Sequence, residues 1–523
     1  MPLSYPSIFN DVIGPVMRGP SSSHCAAALR IGRIARDLMG GRIDEILVEF
    51  DPHGALATTH TSQGSDMGLF GGLLGWEATD ERLAESAAWA AEAGIKASIE
   101  IVEIGTSHPN TYQLTLKNAT ETHRLTALST GGGMIEVIDI DGNPVSMSGG
   151  YYETLIYPVS NVRELVQFLS NRIEADEINL LGEGDQAIIE IKAQAFLDAQ
   201  VVTELKAKFD LHRLKNIAPV LPVLSRKDLR VPFITCEEML RYNSDKDLSL
   251  WELALHYESA RGNLSHEQVF QQMKTIVGIL QNAITEGLHG THYTDRILGN
   301  QSGQFQTGMD TQRLLDGGML DRIILYVTAL MEVKSSLGVI VAAPTAGSCG
   351  GLPGAVIGAA DALGLSQDEM TRAMLAAGLV GVFIAAHATF AAELGGCQAE
   401  CGAGSGMAAA ALVVLAKGTL EQSLAAISLA LQNILGMICD PVANRVEAPC
   451  LGKNILAASN ALACANMALA NYAALIPLDQ VIETMDRVGK SLPVELRCTG
   501  LGGLSVTAAS KDIEKRLQET GEI

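Results

Sequence analysis

The sequence predicts a multidomain chain, α+β in its N-terminal part and all-α in its C-terminal part. Three observations carry that reading. At 523 residues the chain is too long for one ordinary core. Before residue 235 or so, short β-like runs alternate with helical patterns. After it, alanine-rich apolar segments recur between glycine loops.

The runs "DEILVEF", "ASIEIVEI", "TYQLTL" and "GMIEVIDI" read as strands, and "DERLAESAAWAAEAG" as a helix, which makes residues 1–152 an α+β domain. Residues 153–215 hold "ETLIYPVSNVRELVQFLSNR", "INLLGEGDQAIIEIKA" and "TELKAKF", a small βαββα unit of the kind used for regulation or dimerisation. Pro219, Pro222 and Pro232 mark a linker over 216–235. From "CEEMLRYN" onward, residues 236–515 read as one all-helical domain. Its glycine loops are "PTAGSCGGLPG", "GGCQAECGAGSG" and "TGLGGLS".

A net charge of −22 argues against nucleic acid and anionic membrane surfaces as partners, since both need clustered Lys and Arg. The segment at 373–392, "AMLAAGLVGVFIAAHATFAA", is long enough to span a bilayer. It carries His387 and two glycines and lacks an aromatic belt, so a buried core helix is expected. "MPLSYPSIFNDVIG" shows no basic start followed by an apolar run, and a secretory signal is not expected. Nine cysteines in such a chain point to a reducing cytoplasm, where clustered thiols serve as ligands or catalytic groups more often than as disulfides.

Three of these thiols fall at element ends. Cys397 follows Gly-Gly at an expected helix start, Cys439 precedes Asp-Pro, and Cys450 follows Pro449. Such positions suit ligands of a shared ion. Free cysteine is equally at home as core filler, and spacings of 42 and 11 residues match no tetrahedral zinc pattern. Cys401, one helical turn after Cys397, is a possible fourth ligand. For Cys25, Cys236, Cys349, Cys464 and Cys498 a packed thiol is the default. In "GPVMRGPSSSHCAAALRIGRIARDL", Ser21, Ser22, Ser23 and His24 lead into an amphipathic helix. The hydroxyls and first N–H groups form either a carboxylate or phosphate cradle or an ordinary N-cap.

Taken together, "SIFNDVIGPVMRGPSSSHCAAALRIGRIAR", "TSHPNTYQLTL", "STGGGMIEV", "APTAGSCGGLPG", "GGCQAECG", "CDPVANRVEAPC" and "GLGGLSVT" resemble, in order, the iron–sulfur-dependent L-serine dehydratases. The resemblance covers nearly the whole chain. It implies a β part, with an ACT-like module, fused to an α part that is the catalytic domain. It further implies a cytoplasmic homodimer that converts L-serine to pyruvate and ammonia. By the same resemblance, Cys397, Cys439 and Cys450 hold a [4Fe–4S] cluster with one iron open as a Lewis acid. Ser21, Ser22, Ser23, Lys453 and Asn454 would hold the substrate, and His24 is a candidate acid or base.

Four positions leave the family's pattern. Cys25 stands where threonine is usual, and Cys401 where valine is. Gln63, in "TSQGSD", replaces a histidine that the family places in its active site. "AHAT" brings in His387, which with His24 is a candidate base, because glutamine cannot act as one. Two alternatives therefore stand beside serine dehydration. One is the same chemistry on another β-substituted amino or hydroxy acid, such as threonine or cysteine. The other is a cluster-bearing amino-acid sensor without turnover.

Overall fold

The computed structural model describes residues 5–184, 187–293 and 296–519. Twelve strands are described: β1 Val16–Met17, β2 Glu45–Phe50, β3 Lys96–Ile101, β4 Thr111–Lys117, β5 Thr122–Gly131, β6 Met134–Ile140, β7 Asn143–Met147, β8 Tyr152–Pro158, β9 Glu177–Leu181, β10 Ile188–Ala193, β11 Leu211–Ile217 and β12 Ile340–Val341. Six form a sheet in the order β3-β2-β4-β5-β6-β7, antiparallel except for the β2–β3 pair. Alternation in β4 and β5 puts Leu114, Leu116, Leu125 and Ala127 on one buried face, which the helix Ala27–Leu38 covers with Ile31 and Ile34. This helix and Ser65–Leu73 touch through Gly32 and Gly72. A Cβ on Gly72 would lie 2.9 Å from the Gly32 Cα, so the close approach requires both glycines.

The stretch read as βαββα forms a βαββαβ unit. Strands β8 to β11 make an antiparallel sheet in the order β11-β8-β10-β9, with the helices Val162–Arg172 and Ala199–Lys208 packed on it. Asp185 and Gln186 of that stretch lie outside the described residues. The closing strand β11 was not expected. Its sequence, "LHRLKNI", places charges where a buried strand would alternate, because Lys215 and Arg213 reach out to Glu121.

From Cys236 the chain is helical apart from β12 and short turns. The helix Gln367–His387 and the stretch Gln398–Leu415 are long and apolar enough to cross a membrane, and most of each is buried inside the helical part. Both are core helices here. The structure departs from the expected division at the N-terminus. Ile8, Phe9, Val12, Ile13 and Met17 belong to the helical core, and β1 pairs with β12. Gly378 leaves the space that Ile8 fills, since a Cβ there would lie 2.6 Å from Ile8 Cγ2. The 216–235 segment is likewise docked and not free. Asn10 exchanges hydrogen bonds with the Val223 backbone at 2.7 and 3.0 Å, and Val223 is buried.

Candidate active site

Three separate segments bring cysteines together. Gly396, at φ +71, turns the chain so that the Gln398 N–H donates to the Met437 carbonyl at 3.0 Å. The Cys439 N–H donates to Leu496 O at 2.9 Å, and the Cys498 N–H to Cys439 O at 3.0 Å. Cys397, Cys439 and Cys498 are thereby packed into one small buried cluster with Ala392. The Cys397 and Cys439 sulfurs and a Glu400 carboxylate oxygen all lie within 4.8 Å of one another. Cys401 and Cys439 lie against Cys397, and Cys498 lies against Cys439. These thiol contacts pull Cys397 well below the ordinary thiol range. Cys450 opens the helix Cys450–Leu469, and its thiol is pushed up by burial and by the charge on Cys397. All nine cysteines are free.

Against this cluster stands the turn Ser22–Ala26, a single π-helical turn of the kind that recurs at functional sites. Two anchors fix it: the Ser129 hydroxyl donates to Ser23 O at 2.6 Å, and the Ala346 N–H to Ser22 Oγ at 3.3 Å. The loop carrying Gln63 packs on the same turn, since a Cβ on Gly64 would meet Cys25 Cβ and Pro20 at 3.3 Å.

The hydrogen bonds around His24 fix its tautomer. The Thr59 hydroxyl donates to Ala55 O at 2.6 Å, so Thr59 accepts from His24 Nε2–H at 2.9 Å. His24 Nδ1 is therefore the acceptor, 3.0 Å from Ser21 Oγ and 3.2 Å from Ser23 Oγ. The Ser23 proton goes to Glu393 Oε1 at 3.2 Å, which leaves Ser21 as the donor to Nδ1. Burial lowers the His24 pKa, against the pull of Glu393, and keeps the ring neutral.

Of the other expected site residues, Gln63 is buried in the adjoining loop, and its Nε2 has no hydrogen-bond partner among the described residues. Lys453 donates to Asp440 Oδ1 at 2.6 Å and to Ile438 O at 2.7 Å, beside the thiol cluster. Asn454 is buried and engaged with the protein itself. Its side chain accepts from the Gly350 and Gly351 N–H groups and donates to Gly347 O and Cys450 O, tying the "PTAGSCGG" loop to the Cys450 helix. His387 is not brought to the site. It ends the helix Gln367–His387 with Nε2 3.1 Å from Ile234 O.

Three residues of the candidate site carry no clear sign in the sequence. Cys498, expected as a packed thiol, lies against Cys439. Glu393 joins the Ser21–His24 turn to the cysteine segment. Glu400 accepts from Thr345 Oγ1 at 2.6 Å, and burial together with the Cys397 charge pushes its carboxyl up to about 8. For the two acids the available signal was an acidic residue within four positions of Cys397. Cys498 had no such signal.

The serine dehydratase alpha chain family matches residues 245–505. The probable L-serine dehydratase alpha chain of Bacillus subtilis (strain 168) is 36% identical over 285 residues, covering 54% of this chain and 95% of that protein. The probable beta chain of the same organism is 32% identical over 222 residues, 41% of this chain and 100% of that protein. L-serine dehydratase 1 of Escherichia coli (strain K12) is 32% identical over 283 residues, 53% of this chain and 62% of that protein.

Proposed function

Because the chain belongs to the iron–sulfur L-serine dehydratase family, we propose that it is an L-serine ammonia-lyase, giving pyruvate and ammonia where the Ser21–His24 turn meets the thiol cluster. That junction is the observation that carries the reading: Ser23 donates to Glu393, four residues ahead of Cys397.

The residues fit a [4Fe–4S] group. The donors are buried soft sulfurs on loop and helix ends, and Cys397, Cys439 and Cys450 would hold it. When bound with one iron open, such a group supplies a Lewis acid that makes hydroxide a better leaving group. The remaining work falls to the chain. Ser22 accepts from the Ala346 N–H and keeps its own proton for the substrate carboxylate. Ser21 already donates to His24 Nδ1, so a Cα proton taken at Ser21 Oγ is relayed as the Ser21 proton passes to the neutral imidazole. The aminoacrylate released then hydrolyses without further help.

The same reading makes residues 1–152 the β part, 153–215 an ACT-like module and 236–515 the α part of a cytoplasmic homodimer. The antiparallel four-stranded sheet with its two helices supports the ACT-like assignment. Anaerobic reconstitution followed by ammonia and keto-acid assays on L-serine, L-threonine and L-cysteine tests the function. The highest kcat/KM is expected on L-serine, and no ammonia from any of the three overturns the reading.

A further inference from the structure

L-serine carries an ammonium as well as a carboxylate and a hydroxyl, and a buried ammonium needs an anionic acceptor. The acidic side chains around the junction differ in how far they are already committed. Asp66 is bonded to His60 at 2.8 Å, and Asp440 to Lys453 at 2.6 Å. Glu447 accepts from the Ile297 and Leu298 N–H groups and faces Arg296. Glu400 is packed within 4.8 Å of the Cys397 and Cys439 sulfurs and is bonded to the Thr345 hydroxyl. Glu393 differs from all of these. It is half-buried, it accepts from the neutral Ser23 hydroxyl, and no Lys, Arg or His forms an ion pair with it among the described residues.

Residues from both parts of the chain surround it. Glu393 acts electrostatically on His24 and His108 from the N-terminal part, and on Glu400 and Cys498 from the helical part. Burial keeps both imidazoles neutral, so neither supplies the missing positive charge. The segment also packs closely on Gly131, where a Cβ would lie 3.0 Å from Ala391 Cβ.

We propose that Glu393 binds the ammonium of the substrate and so selects amino acids over the corresponding hydroxy acids. The inference rests on the lyase reading above and adds a residue that decides the substrate class. Ser23, by donating to one carboxylate oxygen, turns the other toward the substrate.

L-alanine and L-lactate differ only in carrying an ammonium or a hydroxyl, and neither has the β-hydroxyl that would be expelled. Calorimetry on anaerobic, cluster-loaded protein gives the affinity for each without turnover. Wild type is expected to bind L-alanine the more tightly. Glu393→Gln should weaken L-alanine by about ten- to a hundredfold, the range for one charge-assisted bond, and leave L-lactate within about threefold. Glu393→Asp keeps the charge and should keep the preference. Equal affinities in wild type overturn the inference, as does a parallel change for both ligands in a Glu393→Gln protein that retains its iron. Ammonia release from L-serine in the same wild-type preparation reports separately on the lyase reading.

Discussion

The Ser23 hydroxyl and the Glu393 carboxylate stand 3.2 Å apart although 370 residues separate them in the chain. Neither side of the candidate site is complete alone. The N-terminal part supplies neutral hydroxyls and imidazoles, and the helical part supplies the thiols and acids.

The cysteines give the most direct test. Serine at Cys397, Cys439 or Cys450 is expected to abolish the brown colour and the roughly four irons per chain of anaerobic protein. Cys464→Ser should keep both, because its thiol is bonded to Asn433 and Asn460 and lies apart from the cluster. Full iron in all three single variants would sink the ligand assignment.

Turnover should separate the two histidines. His24→Ala is expected to lower kcat by about 10²–10⁴-fold, the range for a lost general base. His387→Asn removes one bond to Ile234 O and should cost about 0.5–1.5 kcal/mol of stability with turnover kept. Because burial lowers the His24 pKa, the acid limb of kcat/KM should fall below the ordinary 6.5. Loss of turnover in His387→Asn with His24→Ala intact would reverse the assignment.

Asn454 tests the scaffold. Replacing it with Ala strands the Gly350 N–H and the Gly347 carbonyl in a fully buried position, while the Gly351 N–H keeps its bond to Ser348 O. A loss of about 2 kcal/mol or more is expected in denaturant titrations, at about 1–3 kcal/mol for each stranded group that cannot find water. A wild-type midpoint would show that the loop does not depend on this amide.

Glu258 sets a pH dependence. It is buried, accepts from Ser7 Oγ and the Ile8 N–H, and is pushed up to about 7 by desolvation, with those two bonds pulling the other way. A carboxyl raised in the folded state contributes stability that is full below its unfolded value of 4.5 and is lost as pH climbs through about 7. Glu258→Gln should not show that decline. Its unfolding free energy from urea titration, relative to wild type, is expected to rise between about pH 5 and pH 7.5, by up to roughly 3 kcal/mol. A constant difference across that range would contradict the assignment.

The strands with clean alternation, such as β2 and β4, were legible in the sequence, and so were the apolar helices and the three thiols at element ends. The strand β11 was not, because its charges are answered by Glu121, far away in the chain. Long-range pairing hid the rest. Nothing near Ile8 announces that Gly378 keeps a space for it, and nothing near Cys498 announces that Cys439 is its neighbour. The amide of Asn454, expected to hold substrate, already has five protein partners: the Gly350 and Gly351 N–H groups, Gly347 O, Cys450 O and the Cys401 sulfur.

The insertion of Ile8–Met17 among the helices bears on how such proteins are partitioned between genes. Alpha and beta chains similar to this protein occur as separate polypeptides in one organism. Here the N-terminal segment fills the interior of the other half, where each large apolar side chain contributes about 1.5–3 kcal/mol. A break in the 216–235 stretch would therefore leave a nicked protein and not two free modules. Where the halves are made separately with the same arrangement, neither would have a finished interior until they meet. Fusion replaces that encounter between two incomplete bodies with a local closure, so the two halves are always present in equal number.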